Sequence, residues 1–527
     1  MVSNSLPLRH RVPYWAGIAT LMLVLLMTTM ANGTSIGSAP EFVGALSVVA
    51  DDIQMGYYST AAGLCIVLPV IPKLKVIYTP KTLLLLGLTA ESVLSWICAQ
   101  TDDINILIIA SFFSGIAKGI LVMTCIPLLS PFVSPKGNPY VLTCRLFMIV
   151  LSGGQISMLL TAYLSEQFQW QYIYYVITVI CLISIFLIML LFRYAQLPVH
   201  FLWREIDVKS IFFVATTWLA AIFIFSYGQH LDWFESDKIK LLASVVIILF
   251  ILFVFQNYNT GQRFVYFRPL LRREGVIGYS FTILTVLLTS SGLPINTYLT
   301  TVLGIDNIHS NILNLRYIPG FVAGGYICIL WYNHHFKPER LISLAIAFYA
   351  IYMAMAYFSI SIDAEYDTLK YGNILRGAGM IILFAGITLY IIEELDLVFR
   401  PSHVFWLLSI RSAVGPVAIG ALLTFFIYQM TTESMTVLCE QIRMDNYSAA
   451  LQYTQGVQNA IRQGHSEENA TLLAVNSLYG QVYRQATMVA VKRIIGYLLV
   501  LFIAVSVITP FIPFFKSYTP SSRYTVK

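Results

Sequence analysis

Apolar residues occupy fourteen long stretches of this chain, separated mostly by short polar gaps. A helix needs about 20 apolar residues to cross a bilayer, because a backbone polar group cannot stay unpaired in hydrocarbon. The pattern therefore predicts an all-α polytopic membrane protein with fourteen transmembrane helices. The predicted spans are 14–37, 54–73, 82–100, 104–129, 140–163, 171–192, 209–227, 239–257, 275–301, 310–331, 340–360, 370–392, 403–428 and 488–514.

Lysine and arginine collect in every second gap between these spans. The basic gaps hold, among others, Lys73 and Lys75, Lys136, Arg268 and Arg272, Lys337, and Arg400. The opposite gaps are acidic or neutral, as at 102–103 and 232–237. Because basic loops stay in the cytoplasm, we expect a bacterial inner-membrane protein with both termini cytoplasmic.

Composition agrees with a membrane protein. Hydrophobic residues make up 58% of the chain and charged residues 11%, against about 45–50% and ~25% in soluble domains. The net charge of +6 follows from basic loops beside anionic membrane lipid, so it implies no nucleic-acid partner. Six of the seven cysteines lie within predicted spans, which argues against a disulfide framework or a metal cluster.

One gap is long and polar, at 429–487, and it is predicted to lie on the outer side. Its apolar residues recur at helical spacing and suggest two amphipathic helices, split at Gly464-His465-Ser466. A long insertion is usually functional or disordered, and this periodicity favours order. The apolar stripes would otherwise be exposed. We therefore expect the segment to dock a periplasmic adaptor that leads to an outer-membrane channel.

Several short motifs resemble those of fourteen-span drug:proton antiporters (the EmrB/QacA-like family) in the major facilitator superfamily. The motifs, in the family's order, are Ile206-Asp207, Gly228-Gln229-His230-Leu231-Asp232-Trp233-Phe234-Glu235-Ser236, Arg376-Gly377-Ala378-Gly379-Met380, Arg411 with Gly415, and Arg484-Gln485-Ala486. The resemblance implies a six-helix bundle in 1–200, an inserted helix pair in 201–262 and a second six-helix bundle in 263–527. It also implies alternating access and export of a small molecule.

The N-terminal half departs from that family's pattern. Its first span reads Ala31-Asn32-Gly33-Thr34, without the family's aspartate. Ser111 stands where the arginine of the fourth span is expected, and Ser157-Met158 replaces the Gly-Pro pair of the fifth. The residues that usually couple transport to protons are therefore absent, and coupling would need another acid.

Two charged residues are predicted deep in the N-terminal half. A charge at the bilayer centre costs about 2.5–3.5 kcal/mol, so each such residue suggests a function. Glu91 is the one acid that we place at midplane depth. It is either a proton-coupling site or a neutral carboxyl hydrogen-bonded to the next helix. Lys118 could bind a substrate anion, pair with Glu91, or cap backbone carbonyls.

Two arginines are predicted deep in the C-terminal half, Arg376 and Arg411. They either contact substrate, or they reach the headgroups or clamp free carbonyls. Cations thus outnumber acids inside the predicted spans, which favours an anionic or zwitterionic amphipathic substrate. Lys118, Arg376 and Arg411 are the predicted substrate contacts.

The sequence holds no Walker-type loop, zinc-ligand cluster or nucleophile–base set, so we predict neither an enzyme nor a cofactor. Secondary export of a small amphipathic compound is the first interpretation. Uptake of a nutrient or a lipid fragment is the second, and a membrane scaffold without transport is the third.

Overall fold

A computed structural model describes residues 6–10, 12–194, 206–261, 263–362, 364, 366–393, 395–440 and 447–512. At 32–36, 366–367, 397 and 448 it describes the backbone alone. The predicted domain limits at 200/201 and 262/263 fall on or beside residues outside this set, so those limits stay predictions.

The described residues form an all-helical structure with fourteen candidate membrane spans when one bent helix pair is counted as a span, in agreement with the predicted fold class. Thirteen helices of the described residues are long and apolar enough to cross a membrane, and one bent pair makes the fourteenth span. Spans 1 to 14 are Tyr14–Gly37, Ala50–Val67 with Ile71–Ile77, Pro80–Gln100, Ile104–Val133, Pro139–Gln167, Gln171–Leu191, Val208–Tyr227, Asp237–Asn259, Arg273–Val302, Asn307–Asn333, Pro338–Ser359, Lys370–Glu393, Arg400–Cys439 and Glu467–Phe511.

Four of these spans are interrupted. Span 2 bends by 58° at its break. Span 9 is divided into Arg273–Ser290, Gly292–Thr297 and a π-helical turn Tyr298–Val302, and span 10 into Asn307–Asn314 and Tyr317–Asn333. Span 13 carries a second π-helical turn at Ser409–Ala413, with Arg411 inside it. A π-helical turn is often found at a functional site.

Polar residues in the gaps set where spans begin. The Asp103 side chain accepts a 2.8 Å hydrogen bond from the Asn105 backbone N–H at the start of span 4. Asn138 accepts one of 2.9 Å from the Tyr140 N–H at the start of span 5, and Asp207 one from the Ser210 N–H at 3.2 Å in span 7. Each cap satisfies an N–H that would otherwise face the membrane boundary unpaired.

The spans form two bundles and a peripheral pair. Spans 1–6 pack on one another around one apolar core, and spans 9–14 around another. Spans 7 and 8 pack together, and span 7 also contacts spans 2 and 13. The bundles meet along a seam, where span 5 contacts spans 10 and 12 and span 2 contacts span 13. We call the 1–6 bundle the N half and the 9–14 bundle the C half.

Small residues allow the closest helix contacts. A side chain at Gly115 in span 4 would place its Cβ 2.0 Å from the Thr60 carbonyl oxygen of span 2. At Gly320 in span 10 the Cβ would lie 2.1 Å from the Ile374 carbonyl oxygen of span 12. These glycines therefore serve close packing of neighbouring backbones.

The outer segment is helical, and the predicted break is in place. One helix runs over Tyr447–Arg462, and the next begins at Glu467, with Gly464 in a left-handed conformation (φ +92°) between them. The helices of spans 13 and 14 extend beyond the predicted apolar runs. The helix of span 13 continues to Cys439, and the amphipathic helix that begins at Glu467 is continuous with span 14. The polar residues there continue the helix, because Ser466 caps it and Glu467 and Glu468 fill its first turn.

Candidate functional site

Glu91 and Lys118 share one pocket between spans 3 and 4. Each side chain is 1% exposed. The Ser114 hydroxyl lies 2.9 Å from both carboxylate oxygens of Glu91 and donates to them. Lys118 lines the same pocket as Glu91 and Ser114. A buried acid and a buried cation therefore line the same small polar pocket. This arrangement is compatible with two predictions from the sequence, a Glu91 carboxyl bonded to the next helix and a Lys118 that pairs with Glu91.

This pocket lies inside the N half. It is a small cavity of about 20 Å³, and its walls include Ala31, Thr60, Ser95, Ser111 and Tyr174. These residues belong to spans 1, 2, 3, 4 and 6, and the lining includes no residue of the C half. The pocket is thus not part of the seam where the bundles meet. The substrate role of Lys118 and the proton-coupling role of Glu91 stay predictions.

Arg376 is held by the C half itself. Its guanidinium donates to the Tyr317 hydroxyl at 2.6 Å and to the Thr289 carbonyl oxygen at 2.7 Å. It also lies over the Tyr317 and Tyr352 rings, 5.3 and 5.4 Å from their centroids. Thr289 immediately precedes the break in span 9. Arg376 therefore stabilises an interrupted helix, and its substrate role stays a prediction.

Arg411 lies in the seam. Its guanidinium is 5.1 Å from the centroid of the Phe147 ring in span 5 and 4.6 Å from that of Phe384 in span 12. Among the described residues no carboxylate forms an ion pair with it. Arg411 is thus a partly buried cation between aromatic rings of the two halves.

Other cations near the spans cap backbone carbonyls. Arg145 donates to the Val133 carbonyl oxygen at 2.8 Å, Lys75 to that of Met123 at 2.7 Å, and Lys81 to that of Phe192 at 2.7 Å. Arg316 is exposed at the break of span 10. The cations of the spans are therefore not one group. Arg145, Lys75 and Lys81 each bind a backbone carbonyl, whereas no such contact of Arg411 is found among the described residues.

The seam is closed on the side where the loops 134–138 and 334–337 lie, which we call the basic side. The Tyr140 hydroxyl donates to a Glu393 carboxylate oxygen at 2.6 Å. The Asn138 amide donates to the Asn333 side-chain oxygen at 3.0 Å. The Tyr140 and Tyr332 rings stack at 5.2 Å. Polar and aromatic contacts therefore join the two halves at this end.

A cysteine pair lies deeper in the same closure. Cys144 of span 5 and Cys328 of span 10 are both buried free cysteines, and their thiols lie next to each other. The described residues hold no group of three or more His, Cys, Asp or Glu side chains that could bind a metal. The pair is thus a contact between halves.

Sequence reasoning missed a buried histidine, His403, at the start of span 13. It is 0% exposed, and its Nδ1 lies 2.7 Å from the Tyr279 hydroxyl of span 9. Its Nε2 has no hydrogen-bond partner within the described part of the chain. The sequence offered one indication of this residue, because His403 is the first residue of the predicted apolar span 403–428. The aromatic rings around Arg411 gave none, because they come from distant spans.

Solved structures with the same arrangement of helices are transporters. A peptide transporter, POT, in complex with alafosfalin has a TM-score of 0.55 and 12% identity, over 97% of this chain and 98% of that one. The nucleoside transporter NupG has a TM-score of 0.50 and 11% identity, over 90% and 98% of the two chains. These likenesses show the fold alone. No curated protein sequence matches the chain.

The sequence itself matches a family model. The match is to the Major Facilitator Superfamily and runs over residues 21–419, which is more than half of the chain. It covers spans 1 to 12 and the arginine in the seam, and it agrees with the fourteen spans and the two-bundle packing described above. The chain belongs to the Major Facilitator Superfamily and is a transporter of that fold.

Proposed function

We propose that this transporter exports a small amphipathic anion by alternating access. The observation that carries the proposal is the place of Arg411, a cation without a carboxylate partner among the described residues, set between rings of both halves. A guanidinium binds carboxylate, sulfate or phosphate groups through charge-assisted hydrogen bonds. The Phe147 and Phe384 rings would cover the apolar part of the same molecule.

The position in the seam suits alternating access. Phe147 belongs to the N half and Phe384 to the C half, so a molecule held beside Arg411 would contact both bundles. When the bundles rock apart at one end, those contacts change together. The π-helical turn that carries Arg411 gives span 13 a place where its backbone can adjust.

Proton coupling is assigned to Glu91 in this proposal. The first span lacks the usual acid, and Glu91 is a buried carboxyl with Ser114 and Lys118 beside it. Binding of a proton would neutralise Glu91 and leave the Lys118 charge without its counterpart. A change in that balance inside the N half would favour a different packing of spans 3 and 4.

Direction and orientation rest on the loops and on the motifs. The basic loops at 134–138 and 334–337 support, by the positive-inside rule, a cytoplasmic basic side in a bacterial inner membrane. The motifs shared with fourteen-span drug:proton antiporters favour export.

Accumulation measurements in a bacterial host test the proposal. Cells with and without the protein would be given fluorescent amphiphiles of three kinds, namely acidic, zwitterionic and quaternary ammonium, with and without a proton uncoupler. We expect lower accumulation of the acidic probes only in cells that make the protein, and loss of that difference with uncoupler. Higher accumulation would show uptake, and unchanged accumulation of every probe would leave a scaffold.

A further inference from the structure

A pocket on the basic side joins the inserted pair to the C half. It has a volume of about 400 Å³ and lies between the end of span 8 and the start of span 9. Its walls include three arginines, Arg263, Arg268 and Arg272, and the aromatic residues Tyr258, Tyr266, Phe267 and Phe399. Neither Arg411 nor the Glu91 pocket is part of it. Its chemistry is therefore separate from the transport pathway proposed above.

Two of the three arginines lie against aromatic rings of the pocket. The Arg263 guanidinium lies 5.2 Å from the Tyr258 centroid and 5.9 Å from that of Tyr266. Arg268 lies 5.5 Å from the Phe399 centroid. Arg272 makes one long contact, 4.0 Å, with the largely exposed Asp396. Three positive charges thus meet one acid, which leaves a net positive site for an anion.

The loop that carries these arginines is fixed in place. The buried Asn257 side chain accepts from the Phe264 and Val265 N–H groups at 2.9 and 3.1 Å and donates to the Val265 carbonyl oxygen at 2.8 Å. Two residues of span 13 bind the backbone of Tyr266. Its N–H donates to the Ser402 hydroxyl oxygen at 3.0 Å, and its carbonyl oxygen accepts from the Trp406 indole N–H at 3.2 Å. The pocket is therefore held in shape by span 8, by the loop that follows it and by the start of span 13.

The pocket opens at the end of a helix whose apolar surface is largely exposed. Only 11% of the most apolar part of span 8 is buried, and large apolar side chains near its basic end are exposed, such as Leu252 and Phe255. Leu271, at the pocket itself, is 77% exposed. A molecule with an anionic head in the pocket could lay acyl chains along this surface. Free phosphate would use the arginines but not the apolar side chains.

We propose that this pocket binds the phosphodiester headgroup of an anionic phospholipid. Guanidinium groups pair well with phosphate oxygens, and basic pockets between helices on the cytoplasmic side are typical lipid sites. A bound lipid would contact span 8, the loop between spans 8 and 9, and the 3₁₀ turn at Leu397–Phe399.

Binding of single lipids to the purified full-length protein tests this proposal. Native mass spectrometry would count bound phosphatidylglycerol and phosphatidylcholine, and a separate titration would use inorganic phosphate. The variant is R263Q/R268Q. The control is K136Q/K337Q, which removes the same charge from exposed loops of the same side.

We expect wild-type protein to bind phosphatidylglycerol in preference to phosphatidylcholine. The R263Q/R268Q variant should bind it about tenfold more weakly, because two charge-assisted contacts are lost. The K136Q/K337Q control should bind phosphatidylglycerol as tightly as wild type does. In phosphatidylcholine, R263Q/R268Q and K136Q/K337Q should both unfold at the wild-type temperature. Equal loss in the control would overturn the proposal, since the attraction would be diffuse. Inorganic phosphate binding as tightly as the lipid would overturn the lipid assignment.

Discussion

The Tyr140 hydroxyl of span 5 donates a 2.6 Å hydrogen bond to the Glu393 carboxylate of span 12, which belongs to the other half. One helical turn further along span 5, Cys144 meets Cys328 of span 10. Both contacts lie on the basic side, and both must separate if the seam opens there. Alternating access therefore makes the cysteine pair a reporter of that opening.

Locking this end of the seam should stop transport. In a variant that keeps Cys144 and Cys328 and has serine at the other five cysteines, copper phenanthroline should join the two thiols. We expect transport to fall by about tenfold or more, because the rigid-body step is blocked. Reduction with dithiothreitol should restore it. Full transport by the crosslinked protein, with Cys144→Ser as the uncrosslinked control, would contradict opening at this site.

Arg376 and Arg411 should behave differently when they are replaced. Arg376→Gln removes the contacts to the Thr289 carbonyl oxygen and the Tyr317 hydroxyl. We expect a destabilisation of about 3 kcal/mol, since a hydrogen bond to a charged group contributes ~1.5–3 kcal/mol. Arg411→Met should leave the unfolding temperature in detergent unchanged. Equal unfolding temperatures for Arg376→Gln and wild type would contradict this stabilising role of Arg376.

Glu91→Gln should remove proton dependence and keep the fold. Glutamine has nearly the shape of glutamic acid, and its amide oxygen can still accept from Ser114, but it cannot exchange a proton. We expect transport that no longer responds to uncoupler or to pH. Glu339→Gln is the control, because Glu339 is also a buried acid but lies in the C half. Unchanged uncoupler sensitivity in Glu91→Gln would make Glu91 structural.

The outer hairpin, Tyr447–Arg462 with the first turns of the helix that begins at Glu467, is proposed to dock a periplasmic adaptor. Its helices pack at Gly456 and Ala474, while Leu472, Val475 and Tyr479 stay exposed. Deletion of 440–480 should spare membrane insertion and abolish export across a complete envelope. Labelling of a single cysteine at 465 in intact cells checks that the hairpin lies outside. Normal export by the deletion variant would leave the hairpin without this role.

Much of the fold could be predicted because each span is a local apolar run. The Glu91–Lys118 juxtaposition was also accessible, since consecutive antiparallel spans bring residues of similar depth together. The surroundings of Arg411 were not, because Phe147 and Phe384 are far from it in sequence and their proximity depends on how the halves pack. The amphipathic helix after Ser466 was predicted, but its continuity with span 14 was not. The polar residues that connect the two carry no apolar signal, yet they continue one helix from Glu467.

Transport by the purified protein in liposomes tests the central claim, that Arg411 binds an amphipathic anion, most directly. Wild type, Arg411→Lys, Arg411→Met and the control Arg340→Met would each be assayed with an acidic amphiphile and a quaternary ammonium amphiphile. We predict that Arg411→Met lowers transport of the acid by about tenfold to a hundredfold, that Arg411→Lys retains part of it, and that Arg340→Met retains all of it. Wild-type rates for the acid in Arg411→Met, or transport of the quaternary ammonium probe alone by wild type, would contradict the claim.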